Sequence, residues 1–296
     1  MSSFKYFSFN RTSKIGAAHI EPKDAVVPIV SLDGSDVPDT IFYEADWLMK
    51  PFEETGLYKH DSDELMLFFG SDKNDHENLN AEIELWIEND RLTLTNTCVV
   101  FVPKGVAHGR MKATRVTKPV ISYRCLMNSS FYKEEPAAAT AAAGTYAGNK
   151  VEKYAPVDGF LPPAPEGFLT RLLWLDGAKL KGAPYMEAVW FHIANDTGPE
   201  NHFHEFDELI GFLGSDPAHP EKLNGELTIL LDGETVRFTE SCVVFVPRGV
   251  THSPILVPRL DRSIIHFSGG NRGDYIRKDD SGGGEDKFRS AKNASK

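Results

Sequence analysis

The sequence predicts an all-β protein in which one unit is built twice, and three observations carry that prediction. The segment His60–His108 returns 144 residues later as His204–His252, with 22 of 49 positions identical and no gap. A repeat of that length is a whole barrel or sandwich, because solenoid units are much shorter. Both copies consist of short apolar runs punctuated by Gly, Pro, Asn and Asp. Hardly any stretch carries a helical period.

Taken in order, residues 1–20 are polar and mixed, an arm or a strand that pairs elsewhere. The first copy spans 21–133. Its stretches Asp39–Met49 and Glu82–Glu88 alternate or cluster apolar residues as strands do. Thr97–Pro103 is a short apolar run stopped by proline and glycine, as expected of a buried strand entering a turn. The Ala-rich stretch 134–153 is low in complexity and without an amphipathic stripe, so it reads as a linker. The second copy spans 154–268, and within it Leu223–Phe238 is strand, Asp232-Gly233 turn, strand. The remainder, 269–296, is rich in Gly, Ser, Lys and Asp and reads as a polar flexible tail. The repeated Gly-Ser-Asp at 70–72 and 214–216 reads as turn chemistry, glycine supplying an unusual φ and aspartate capping the loop.

Composition excludes several classes. At 41% hydrophobic and 25% charged residues the chain is an ordinary globular protein able to bury two cores. A formal charge of −11 argues against nucleic acid and anionic membrane as partners, since both require a basic surface. No run reaches membrane-spanning length, and the first residues lack the apolar core of a signal peptide. Three cysteines form no secreted disulfide framework, and Cys98 and Cys242 occupy equivalent apolar runs, so a cytoplasmic location is expected.

The two copies differ at one chemically important place. The second reads His202-Phe203-His204, then Glu208, with His252 after the turn Val246-Pro247-Arg248-Gly249. Residues two apart on a strand face the same way, so His202 and His204 can point together into a barrel. Glu208 follows a strand bend, and the turn returns His252 across the barrel. Three imidazoles and a carboxylate suit a divalent transition metal. The first copy reads Tyr58, His60, Glu64 and His108 at the matching places, and its preceding loop is two residues shorter.

Gly198-(x3)-His202-Phe203-His204-(x3)-Glu208-(x5)-Gly214, followed by Pro247-Arg248-Gly249-Val250-Thr251-His252, resembles the two signature motifs of the cupin superfamily. Because the resemblance extends over both halves, the chain is similar to a bicupin: two cupin-type jelly-roll β-barrels in tandem. The resemblance implies His202, His204, Glu208 and His252 as metal ligands, with Fe(II) favoured over Mn, Zn, Ni or Cu. In the first copy two readings stand. His60, Glu64 and His108 form a two-His, one-carboxylate iron site, or Tyr58 hydrogen-bonds Glu64 or His60 within a metal-free scaffold. The second is preferred, because a protonated phenol replaces an imidazole poorly as a ligand.

Trp190, His192, Arg248 and His266 are pocket candidates, each weighed against an ordinary core, surface or turn role. Asp63 and Asp207 read as turn residues. No catalytic residue is assigned beyond the ligands. The leading functional expectation is an Fe(II) dioxygenase acting on a small oxygen-bearing organic molecule. Redox-neutral decarboxylase, isomerase or lyase chemistry is the second, and a non-catalytic small-molecule-binding protein the third. The expected partner is a small-molecule substrate, with homodimerisation open.

Overall fold

The computed structural model describes residues 3–159 and 161–278. Each copy supplies eight longer strands at matching places. In the first these are β1 (Val26–Leu32), β2 (Phe42–Leu48), β3 (Glu64–Gly70), β4 (Asn78–Ile87), β5 (Asp90–Asn96), β6 (Cys98–Val102), β7 (His108–Val116) and β8 (Val120–Leu126). In the second they are β9 (Leu169–Leu175), β10 (Tyr185–Phe191), β11 (Glu208–Gly214), β12 (Lys222–Leu231), β13 (Glu234–Glu240), β14 (Cys242–Val246), β15 (His252–Leu260) and β16 (Ile264–Gly270).

The ladder order repeats as well. One sheet runs β6-β3-β8-β2-β1 in the first copy and β14-β11-β16-β10-β9 in the second, every pair antiparallel. The other is β5-β4-β7 and β13-β12-β15 respectively. Strands consecutive in sequence, such as β3 and β4, therefore fall in different sheets. This is the winding of a jelly roll, as the sequence predicts.

Side-chain alternation explains which face points inward. On β4, Leu79, Ala81, Ile83, Leu85 and Ile87 are buried, and each residue between them is partly exposed. These join Met66, Phe68, Val100 and Val102 from the opposite sheet in one cluster. β3, β6 and β8 are buried along their whole length, which is why they read as continuous apolar runs. The β12–β13 hairpin turns on Asp232 (φ 52°) and Gly233 (φ 76°), both left-handed, as a two-residue Asp-Gly turn requires.

The Gly-Ser-Asp turns need a corrected explanation. Neither Gly70 nor Gly214 has a positive φ. A Cβ at Gly70 would strike the Asn78 carbonyl oxygen, and one at Gly214 that of Lys222, so close backbone approach demands glycine. Aspartate does cap these loops: Asp72 accepts the Asn74 N–H and Asp216 that of Ala218, both at 3.1 Å. Asp63 and Asp207 likewise hold turns, accepting the N–H of Lys104 and Arg248 at 2.8 and 2.9 Å.

The segments outside the strands are tied down. Residues 3–7 group with the second copy, where the Ser3 hydroxyl donates to the Leu231 carbonyl at 2.9 Å. The Ala-rich stretch lies along the first copy, its Ala141 and Tyr146 N–H groups donating to Glu88 and Asp90. Gly269 and Gly270, read as the start of the tail, belong to β16, and the chain stays ordered to Lys278, which bridges Phe203. The rest of the predicted tail, 279–296, lies outside the described residues. All three cysteines are buried, and none forms a disulfide among the described residues. Among the described residues no helix is long and apolar enough to cross a membrane.

Candidate metal centre

In the second barrel a two-way backbone bridge sets the geometry. The His202 N–H donates to the His252 carbonyl at 3.0 Å, and the reverse bond measures 2.8 Å. The bridge brings the His202 and His252 rings to 4.4 Å between centroids, with His204 at 5.0 and 5.1 Å from them. One ring nitrogen from each imidazole falls within 4.8 Å of the other two. Glu208 opens β11, and its Oε2 stands 3.0 Å from His252 Nε2 and 3.5 Å from His204 Nε2.

Each ring is oriented from behind. Nδ1 of His202, His204 and His252 lies 2.8, 2.6 and 3.3 Å from the carbonyl oxygens of Glu200, Ile276 and Val250. A carbonyl only accepts, so Nδ1 carries the proton and the Nε2 lone pair points into the barrel. Nε2 of His202 and His204 and Oε2 of Glu208 are buried without a hydrogen-bond partner. Buried polar atoms left in this state are rare and call for an explanation. Burial, reinforced by the neighbouring imidazoles, pushes the His202 pKa down to about 2 and keeps it neutral. Burial likewise lowers His204. Burial alone would raise Glu208, but His204 and His252 outweigh it and hold the carboxyl at about 2. Neutral imidazoles and an ionised carboxylate are the forms that bind a metal. The donor set therefore fits a divalent cation.

The set opens on a cavity of about 450 Å³ whose wall includes Pro162, Phe168, Val189, Phe191 and Ile210. Its polar lining includes Glu187, Asn195, Ser253, His266, Ser268 and Arg277. Of the four pocket candidates only His266 lines it. Trp190 and His192 fall on the opposite face of β10 from Glu187, Val189 and Phe191, because successive strand residues alternate. His192 instead meets Thr170 Oγ1 at 2.9 Å and Ser263 Oγ at 3.0 Å. Arg248 lies in a shallow surface depression beside Asp207 and Arg272.

The first barrel carries the matching residues in a different electrostatic state. His60, Glu64 and His108 do converge, with one ligand atom of each within 4.8 Å of the others. Yet His108 Nε2 is hydrogen-bonded to Glu64 Oε2 at 2.5 Å. Tyr58 donates to Glu54 Oε1 at 2.7 Å, not to Glu64 or His60 as expected. Between the two carboxylates sits Arg124, 3.4 Å from both Glu54 oxygens and 3.7 Å from Glu64 Oε1. Burial alone would depress this guanidinium, but Glu54, Tyr58 and Glu64 hold its pKa well above the usual value, so it stays charged. Ser268 occupies the matching place on β16, opposite Glu187 as Arg124 is opposite Glu44. Arg124 and Glu54 escaped the sequence reading. The available signal was one charged residue inside the otherwise uncharged run Val120–Leu126.

No family model and no curated protein matches this sequence. Solved structures do match its fold. Oxalate decarboxylase from Bacillus subtilis aligns with a TM-score of 0.55 at 10% identity, over 91% of this chain and 78% of that one. The formate complex of Lactobacillus farciminis oxalate decarboxylase gives 0.55 at 10%, over 91% and 88%. The fold is that of a bicupin. AerE from Microcystis aeruginosa aligns at 0.51 and 12% identity, over 90% of this chain and 98% of that one. At such identities the likeness speaks for the bicupin fold, and the chemistry has to be argued from the site itself.

Proposed function

We propose that the second barrel of this bicupin is a divalent-metal enzyme site for a small, largely apolar molecule bearing oxygen donors, with Fe(II) as metal and dioxygen as co-substrate. The supporting observation is that three Nε2 atoms and one carboxylate, with the imidazoles braced from behind, converge at the end of an apolar cavity. A divalent metal held by His202, His204, His252 and Glu208 supplies Lewis acidity and open coordination positions. Phe168, Phe191 and Ile210 keep water from the reacting centre. In the first barrel Arg124 takes the cationic place between the carboxylates, and that barrel serves as scaffold.

Glu187 favours a second reading, redox-neutral decarboxylation, isomerisation or lyase action. It is a carboxylate on the cavity wall with the Tyr185 hydroxyl donating to it at 3.0 Å, placed to take up or return a proton. Two of the three structural neighbours named above are oxalate decarboxylases, and the Bacillus subtilis protein is described with Mn(II) centres. Oxalate itself suits this cavity poorly, since a two-carbon dianion neither fills about 450 Å³ nor gains from an apolar wall.

Oxygen-electrode assays of Fe(II)-loaded protein across a panel of phenols and keto acids separate the readings. Dioxygenation predicts oxygen uptake that His202→Ala abolishes. Turnover under argon with Mn(II) supports the redox-neutral reading instead, and no turnover under either regime sinks both.

The segment after β16 belongs to the same machinery, because the Ile276 carbonyl orients His204. Truncation after Gly270 is expected to weaken Mn(II) or Zn(II) binding roughly 10- to 100-fold, the usual effect of losing an outer hydrogen bond to a ligand. Unchanged affinity in a competitive chelator titration would remove this segment from the site.

A further inference from the structure

The matching histidines of the two barrels, His60 and His204, are held alike on one side and differently on the other. Nδ1 of each lies 2.6 Å from a carbonyl oxygen, that of Lys133 in the first barrel and of Ile276 in the second. The residue before each carbonyl is a tyrosine, with the Tyr132 ring 5.0 Å from His60 and the Tyr275 ring 5.2 Å from His204. To this the second barrel adds a near-parallel ring. Phe206 stacks on His204 with 4.6 Å between centroids and 17° between planes. At the matching place the first barrel has Ser62, which serves a turn: its hydroxyl donates to the Asp63 carbonyl at 3.1 Å and accepts the Asn128 N–H at 2.9 Å.

Phe206 fits there because of Gly270. Gly270 ends β16 opposite Glu208, as Leu126 ends β8 opposite Glu64. A Cβ at Gly270 would fall 2.3 Å from Cε2 and 2.5 Å from Cδ2 of Phe206, a clash with a ring already packed on His204. The φ of Gly270 is not positive, so it is this close approach, and not the backbone conformation, that asks for glycine. The two differences between the copies are therefore coupled: a leucine at the strand end excludes the ring that the glycine admits. Phe206 is 4% exposed and lines two depressions of the surface, so its ring is the layer between His204 and solvent on that side.

We propose that Phe206, admitted by Gly270, is a positioning residue of the second barrel: stacked on His204, it fixes the turn of that imidazole and keeps water from the Nδ1–H that donates to the Ile276 carbonyl. Its consequence for metal binding rests on the second barrel being the metal site. The outer torsion of a histidine side chain is broad, so a single hydrogen bond at Nδ1 leaves the ring room to rock. A second ring lying flat on one face removes that freedom, because turning the imidazole drives its edge into the phenyl plane. Nε2 then stays aimed at the point where His202, His252 and Glu208 converge. Ligand sets work when held to within about 0.5 Å and 10–20° of the productive geometry, which is the scale of such rocking.

The test compares the full-length chain with Phe206→Leu, Gly270→Ala and the two together. Three readouts are taken: Zn(II) affinity by competitive chelator titration, the EPR spectrum of the Cu(II)-loaded protein, and solvent exchange of the His204 Nδ1–H followed by NMR in metal-free protein. Each single variant is expected to weaken Zn(II) roughly 2- to 10-fold, the usual worth of an aromatic pair. Each should also broaden the Cu(II) spectrum and speed the exchange. Gly270→Ala should add nothing once Phe206 is leucine, because the ring it displaces is already gone. A Gly270→Ala loss of the same size in both backgrounds would overturn the inference. So would variants that melt earlier but keep the wild-type Cu(II) spectrum and exchange rate, since the ring would then be packing and nothing more. Wild type that binds Zn(II), with affinity and exchange unchanged in Phe206→Leu, sinks this inference and leaves the metal centre standing. Wild type that binds no metal, with exchange sped in both single variants, upholds the positioning of His204 and sinks the metal reading.

Discussion

His252→Ala is expected to remove the metal from the proposed centre of the second barrel, taking the protein from about one bound equivalent per chain to none. His252 does more than supply one donor. Its backbone closes the two-way bridge that positions His202, and its Nε2 is the imidazole nitrogen nearest Glu208 Oε2, at 3.0 Å. The alanine variant keeps the backbone bridge, so the measured loss belongs to the imidazole. Losing a direct ligand should exceed the roughly 10- to 100-fold effect of losing an outer partner such as the Ile276 carbonyl. Elemental analysis of protein purified without added metal reads the result, with circular dichroism to show that the fold persists. Two equivalents falling to one would place a second metal among His60, Glu64 and His108. No metal, even after anaerobic loading with iron or manganese, would overturn the proposed function.

Much of this was legible in the sequence, for identifiable reasons. The repeat and its turn residues are local signals, and they lead directly to two matching sets of eight strands. The convergence of the candidate quartet is legible because His202, His204 and Glu208 are close in sequence and His252 follows a Pro-Arg-Gly turn. The cavity was not, because strand alternation tells which residues share a face but not which face looks inward. Trp190 and His192 share one face of β10; Glu187, Val189 and Phe191 share the other, and only the second lines the site. Arg124 and Glu54 are 70 positions apart and meet only through the barrel's long-range pairing. The residues after Gly270 read as tail because composition reports flexibility, whereas the Ile276 carbonyl is held by one specific bond to His204.

Arg124→Met is expected to destabilise the first barrel by about 3–5 kcal/mol, the cost of leaving buried charges uncompensated. Glu54 and Glu64 are fully buried, and Arg124 is the guanidinium that stands within 4 Å of both. Methionine keeps the bulk and removes the charge, so urea unfolding of the variant reads the electrostatic loss. A change below about 1 kcal/mol would mean that the carboxylates neutralise without Arg124. The same geometry makes a second prediction with the opposite sign. Arg124→Ser brings the first barrel to the residue found at Ser268, and Tyr58→His restores the missing imidazole. With the resident cation gone, His60, Glu64 and His108 regain an open anionic centre, and the double variant should bind one metal equivalent more than wild type. Tyr58→His alone should not, because Arg124 still occupies the space between the carboxylates and repels a divalent ion. The two halves then differ chiefly by charge: one barrel carries a cation covalently, as the Arg124 side chain, and the other has Ser268 at that position, beside the proposed metal centre.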